Sequence, residues 1–217
     1  HGTAYLSALR PSTAQVMLMV ANVQPGDIVV DAMAGAGTIP IEAVSSASAT
    51  RYALAGDIER GSVSDIIDNV KFASATFRAS GQNAAHLYSG GRDLLTAESE
   101  KGSSSSVSKG TPFSIDCCRW DCRSLPLRSN FVDVLCVDMP FGKRCKLSKR
   151  ELVPILKEFA RVLRPDCGRA VLLSTWTFLG EYINSLGEGV ALTKSVSVNV
   201  GGLQAGLFVM VKKGSVS

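Results

Sequence analysis

The segment Ile28 to Thr38, I-V-V-D-A-M-A-G-A-G-T, restricts this chain more than any other. Ile28, Val29 and Val30 form a short apolar run with β-branched side chains, which reads as a buried strand. Asp31 ends that strand, Gly35 and Gly37 follow, and the residues after Thr38 take up helical spacing. Strand, glycine turn and helix in that order make the opening unit of a doubly wound α/β sheet. Glycine lets a ligand lie against the backbone, where a Cβ would stand in the way. Amide N–H groups at the start of the helix favour an electron-rich ligand. The loop is not a P-loop, because no Lys-Ser or Lys-Thr pair follows the glycines. It also departs from the full dinucleotide pattern, since Pro40 stands where a third glycine belongs. Taken alone it is weak evidence, with a plain tight turn in an α/β domain as the alternative.

The rest of the chain supports an α/β reading. Leu9-Arg10-Pro11-Ser12-Thr13 opens a helix, with Ser12 or Thr13 as its cap. Strands are expected at 28–30, 52–55, 113–118, 131–137 and 169–174, with two more at 190–200 and 207–212. The last two are joined through Gly201-Gly202 and are expected to be antiparallel. Helices are expected at 38–46, 62–72, 149–163 and 178–186. The stretch 77–95 is ambiguous, and the serine-rich stretch around 98–110 reads as a flexible loop. The 217 residues suit one domain, with 46% hydrophobic residues and a net charge of +4 that permits an anionic partner without requiring one. Cys117, Cys118, Cys122, Cys136, Cys145 and Cys167 match neither zinc-site spacing nor a disulfide framework. With only two histidines, no catalytic metal is expected, and the cysteine usage points to a reducing compartment, the cytoplasm, with the nucleus as the alternative. No membrane contact is expected. The sequence reads as a catalytic piece of a longer protein.

Ligands of open α/β sheets bind beyond the carboxyl ends of the strands. Asp31 and its loop follow the first strand and Asp57 the second. Trp120 and Asp121 follow the third, and Asp138-Met139-Pro140-Phe141 follows the fourth. Asp57 comes after Gly35 at a distance, about 20 residues, that suits a carboxylate receiving ribose hydroxyls. The alternative is a cap for the helix that follows. Asp121 would accept from an adenine amine, while Trp120 either lines that site or only packs. The Asp138 carboxylate and the Met139 carbonyl offer two neighbouring acceptors for an exocyclic amine. Pro140 stiffens the turn, and Phe141 can stack on a base. Lys143, Arg144, Lys146, Lys149 and Arg150 follow at once, as phosphate contacts or as a solvated basic face.

These motifs together resemble the catalytic domain of THUMP-domain-containing RNA guanine-N2 methyltransferases, which are class I enzymes dependent on S-adenosylmethionine. The resemblance rests on Leu9 to Thr13, Asp31 through Glu42, Gly56-Asp57, Trp120-Asp121, Leu125-Pro126-Leu127-Arg128 and Asn199 to Leu203. Its most specific part is Asp138-Met139-Pro140-Phe141-Gly142-Lys143-Arg144. Ala32 and Ala34 replace the proline and cysteine usual in the first loop, and Met139 stands where leucine is commoner. The resemblance implies a Rossmann-like, seven-stranded mixed sheet of order 3-2-1-4-5-7-6 with helices on both faces. It implies a cofactor pocket from Arg10, Ser12, Thr13, Asp31, Met33, Ala34, Gly35, Gly37, Thr38, Asp57, Ile58, Trp120 and Asp121. Asp138 to Phe141 would hold the target guanine. An upstream THUMP domain, absent from this sequence, and a small zinc-containing activator protein would complete the enzyme. The implied reaction is methyl transfer to N2 of a guanosine in tRNA. The alternatives are a spliceosomal small nuclear RNA, an adenine or protein amino group, and an inactive domain that binds RNA or protein.

Overall fold

The apolar run that ends at Asp138 becomes the middle strand of a seven-stranded sheet. The computed structural model describes residues 8–45, 52–79, 114–140, 149–174, 179, 182–184, 186, 187 and 189–214. Its strands are β1 (Ile28–Asp31), β2 (Tyr52–Asp57), β3 (Ser114–Arg119), β4 (Val134–Asp138), β5 (Arg169–Ser174), β6 (Val190–Val200) and β7 (Leu203–Lys212). They lie in the order β3-β2-β1-β4-β5-β7-β6. The first five are parallel, and β7 runs antiparallel to both β5 and β6. Val134 to Val137 are all buried, as a central strand covered on both faces requires.

Helices α1 (Pro11–Val20), α2 (Thr38–Ser45), α3 (Arg60–Ala79) and α4 (Lys149–Val162) cover the sheet. Side chains alternate between its two faces. On one face Leu135, Val137 and Leu172 pack with Leu152, Leu156 and Phe159 of α4. On the other, Val134, Cys136, Val171 and Leu173 pack with Ala14, Met17 and Leu18 of α1 and Ile39 and Ala43 of α2. A smaller cluster joins Ala53 and Ala55 of β2 and Ile115 of β3 to Ile66 and Val70 of α3. No helix among the described residues is long and apolar enough to cross a membrane.

Several sequence expectations shift. α1 is not capped by Ser12 or Thr13: its N-cap is Arg10, which offers no side-chain bond, and the Arg10 carbonyl accepts from the N–H groups of Thr13 and Ala14 at 2.9 and 3.1 Å. Pro11 at the first position has no amide to satisfy, so the helix starts without a polar cap. β4 begins at Val134 rather than Phe131, because the Phe131 and Val132 amides both turn to the Val162 carbonyl at the end of α4. α3 extends to Ala79, well past Phe72. β7 begins at Leu203, because Gly201 and Gly202, with φ of 59° and 89°, close a two-residue hairpin that lets pairing start at Val200 and Leu203. The stretch 98–110 lies outside the described residues, as do 80–95 of the ambiguous stretch.

Candidate active site

The loop after β1 is stitched to the end of β2. The Ala34 amide donates to the Gly56 carbonyl at 3.0 Å, and the Gly35 amide donates to Oδ2 of Asp57 at 2.9 Å. Gly35 and Gly37 have φ of 50° and 80°, the left-handed region that favours glycine. A Cβ on Gly37 would also press Ile66 at 3.1 Å. The loop that the sequence marks as a ligand cradle is therefore a fixed turn, held by a carboxylate from the neighbouring strand.

Asp57 does more than its position in the sequence suggests. While Oδ2 holds Gly35, Oδ1 accepts the Glu59 amide at 2.9 Å, just before α3. Asp57 thus orders the turn that leads into α3 without capping an N–H of the helix itself, and it adds a loop tie that nothing in the local sequence announces. Each carboxylate oxygen retains a second lone pair, so a diol can still be received beside these bonds.

Trp120 is corrected. Its side chain belongs to the core and not to a ligand pocket: it is 6% exposed, and its indole N–H donates to the Ala32 carbonyl at 3.0 Å. Its ring lies so close over Gly56 that a Cβ there would sit 2.2 Å from Cε2. Asp121, next along, is exposed enough to meet a ligand, but its carboxylate is engaged by Arg123. The Arg123 Nε donates at 2.9 and 3.0 Å, its Nη2 at 2.5 Å and its backbone amide at 2.9 Å. Those bonds hold the Asp121 carboxyl below its ordinary range and keep it charged. An adenine amine would have to share this carboxylate with Arg123.

Between the carboxyl ends of β1 and β4 lies a cavity of about 150 Å3. Asp31, Met33, Ala34, Gly35 and Thr38 line it, with Asp138 opposite and Ala8, Leu9, Ala36 and Ile39 completing the wall. Five of the thirteen expected cofactor residues are therefore brought together with the first residue of the expected catalytic turn. Gly37 is buried behind the loop. Arg10, Ser12 and Thr13 form the start of α1 beyond Leu9, and Ile58, half exposed, sits past the end of β2. Sequence reasoning missed Ala8, Ala36 and Ile39 as lining residues. Leu9 did fall within the Leu-Arg-Pro-Ser-Thr motif, and that was the available signal.

Two carboxyls face this space. Asp31 is 2% exposed, accepts the Met33 amide at 3.1 Å, and burial pushes its carboxyl well above the usual range. Asp138 closes β4 with a buried Oδ1 that has no hydrogen-bond partner among the described residues. Burial raises its carboxyl from the ordinary value to about 6. The Met139 amide donates to the Leu173 carbonyl at 3.0 Å, so the peptide after Asp138 is fixed to β5. Pro140 is half-buried. Phe141, Lys143, Arg144 and Lys146 lie outside the described residues. Lys149 begins α4, and Arg150 is exposed on it. Among the described residues no three His, Cys, Asp or Glu side chains gather as a metal site.

These residues fit a cofactor such as S-adenosylmethionine. The orphaned Asp138 oxygen needs a donor, the paired carboxyls suit a cation, and the carboxylates at the ends of β2 and β3 suit hydroxyls and an amine.

Comparison with known proteins agrees with this arrangement. The chain is 35% identical to the bovine (Bos taurus) tRNA (guanine(6)-N(2))-methyltransferase THUMP3 over 208 residues, which cover 94% of this chain and 36% of that protein. It is 31% identical to the mouse (Mus musculus) U6 snRNA (guanine-N(2))-methyltransferase THUMPD2 over 168 residues, 77% of this chain and 25% of that one. The chain thus spans about a third or less of these relatives' length. Among solved structures, TrmN from Thermus thermophilus matches with a TM-score of 0.62 and 25% identity, over 96% of this chain and 51% of that one. The family model described as UPF0020, RMKL-like, methyltransferase domain, matches residues 3–205. With its sheet order, its glycine loop and the carboxyl at the tip of β4, this chain belongs to that methyltransferase-domain family.

Proposed function

We propose that this domain catalyses transfer of a methyl group from S-adenosylmethionine to the exocyclic N2 of a guanosine in tRNA. One observation carries the reading: Asp138 lines the cavity formed by the glycine loop and carries a buried carboxylate oxygen with no partner among the described residues. A buried polar atom left without a partner costs about 1–3 kcal/mol. A stable fold keeps such a group where a ligand supplies the missing donor. The activities named for the bovine and mouse relatives support guanine N2 as the acceptor and tRNA as the RNA, with U6 snRNA as the second reading.

The cofactor supplies an electrophilic methyl on a sulfonium; the chain does the rest. Asp138 and the Met139 carbonyl accept hydrogen bonds from the guanine amine. Its lone pair is delocalised into the ring, so it needs orientation before it can attack. The same two acceptors stabilise the positive charge that develops on nitrogen. The proton then leaves to Asp138 or to water. Phe141 would stack on the target base, which must leave its helix if it is paired. Asp57 and Asp121 would receive the ribose hydroxyls and the adenine amine, with Arg10, Ser12, Thr13 and Ile58 at the pocket's edge. Lys143, Arg144, Lys146, Lys149 and Arg150 would hold RNA phosphates. No cysteine is needed as a nucleophile: Cys136 is fully buried, and burial holds its thiol protonated.

The reading extends to partners. A THUMP domain in the longer protein would grip RNA. A small zinc-containing activator would cover the outer side of α1, where Val16 is 42% and Met19 78% exposed. The cysteine usage supports a cytoplasmic enzyme. An inactive scaffold is disfavoured, because it would retain the cost of Asp138 with nothing in return.

The test is methyl transfer to tRNA with base-resolved mapping of the product. N2-methylguanosine is expected. Methyl on adenine or on protein, or no transfer when cofactor and activator are bound, would overturn the proposal.

A further inference from the structure

The cavity is unusual in its charge. Asp31 on β1 and Asp138 on β4 both line it, and none of the other lining residues is basic. The two strands are parallel neighbours, with Val30 opposite Leu135. That register brings Asp31 level with Cys136, and Asp138 lies two residues further along the same face. Among the described residues, the groups around them offer no counter-charge. α1 has no titratable side chain. On α2, Glu42 accepts from Gln15 at 2.8 Å. On β2, Asp57 is held by the Gly35 and Glu59 amides. Cys136 is buried and neutral. Arg169 begins β5 at the opposite end of the sheet, where it bonds to Asp27 and the Asn22 carbonyl. Arg10 is exposed at the N-cap of α1.

We propose that Asp31 and Asp138 make this cavity select the positively charged cofactor over its neutral product, so that S-adenosylmethionine binds with loss of a proton from this pair while S-adenosylhomocysteine binds without it. The inference rests on the methyltransferase reading and deepens it. The two compounds share an ammonium and a carboxylate and differ in the sulfonium charge. In the free protein, burial favours the neutral carboxyl forms. An opposite charge within a few ångströms lowers a carboxyl pKa by about 1–3 units. A bound sulfonium would therefore shift the pair toward its ionised form, with release of proton to solvent. Methyl transfer removes that charge. The carboxylates then lose the sulfonium as a counter-ion, which weakens the hold on the product and favours its release.

The experiment is calorimetric titration of the full-length protein between pH 5 and 7, below the range where the ligands' own ammonium groups titrate. Two buffers of different ionisation enthalpy are used. S-adenosylmethionine should release at least about half a proton at pH 6, and its affinity should rise about tenfold or more over the range. S-adenosylhomocysteine should release almost none, and its affinity should stay nearly flat. An analogue with an ammonium in place of the sulfonium should follow the cofactor, which separates charge from methyl contact. Asp31→Asn and Asp138→Asn should each reduce the proton release and the preference for the cofactor over the product. The wild-type comparison decides the matter even if one variant fails to fold. Parallel pH profiles for cofactor and product, or heats that do not depend on the buffer, would overturn the inference and leave the methyltransferase reading intact. No binding of either compound would overturn both.

Discussion

Gly56→Ala probes the packing that holds the site together. The added Cβ would stand 2.2 Å from Cε2, 2.5 Å from Cδ2 and 2.6 Å from Nε1 of Trp120. These distances are far inside van der Waals contact, and the indole is 6% exposed with no free direction in which to swing. Overpacking of this kind costs about 1–3 kcal/mol. Moving the ring also breaks the bond from Nε1 to the Ala32 carbonyl and strands both groups, for about another 1–3 kcal/mol. The sum, about 2–6 kcal/mol, is a large part of a typical domain's stability. It should lower the melting temperature by about 5–20 °C. Thermal or urea unfolding measures it. Trp120→Leu made in the Gly56→Ala background should recover part of the loss, with a coupling energy above about 1 kcal/mol in the double-mutant cycle. Gly56→Ala melting with the wild type would refute the packing argument. So would Trp120→Leu losing cofactor affinity at unchanged stability, since Trp120 would then be a ligand contact.

Other expectations follow from the same geometry. The Asp138 carboxyl, near 6 when folded and near 3.8 when unfolded, makes the folded state bind more protons. Its contribution is full below pH 4 and lost as pH rises through 6, by up to about 3 kcal/mol. Asp138→Asn should therefore be more stable than wild type at pH 8 by up to that amount, and the gap should close toward pH 4; equal pH profiles would contradict the burial of Asp138. Asp57→Ala frees the Gly35 and Glu59 amides, and should cost about 1–3 kcal/mol and weaken cofactor binding at least tenfold. Unchanged affinity in a titration would remove Asp57 from the site. Lys143→Ala with Lys146→Ala should lower tRNA affinity and reduce the slope of log K against log salt by about 1–2, as counterion release requires. An unaltered slope would make that run a solvated face.

The glycine loop, the succession of strands and helices along the chain and the hairpin were legible because each has a local cause. An apolar run with glycines at its end, regular alternation of strand and helix, and Gly201-Gly202 between two strands all act over a few residues. The order 3-2-1-4-5-7-6 came from family resemblance rather than periodicity, since no local pattern states which strands are neighbours. What escaped the sequence was contact across distance. That Asp57 ties Gly35 depends on β2 lying beside β1, and Trp120 was drawn into the core by the room above Gly56. The missing side-chain cap of α1 had a local cause, the proline at its first position, yet Ser12 and Thr13 obscured it. Asp138 and Asp31 were legible as strand-end carboxylates. That burial would push both toward the neutral form was not, because desolvation depends on what packs above them.

The central claim is that the Asp138 carboxylate orients the acceptor amine. Single-turnover transfer of a labelled methyl from S-adenosylmethionine to tRNA by the Asp138→Asn protein tests it most directly, with cofactor at saturation and binding measured in parallel. The expected result is a rate lower by about a hundredfold or more while cofactor binding persists within about tenfold of wild type. Transfer at close to the wild-type rate would contradict it.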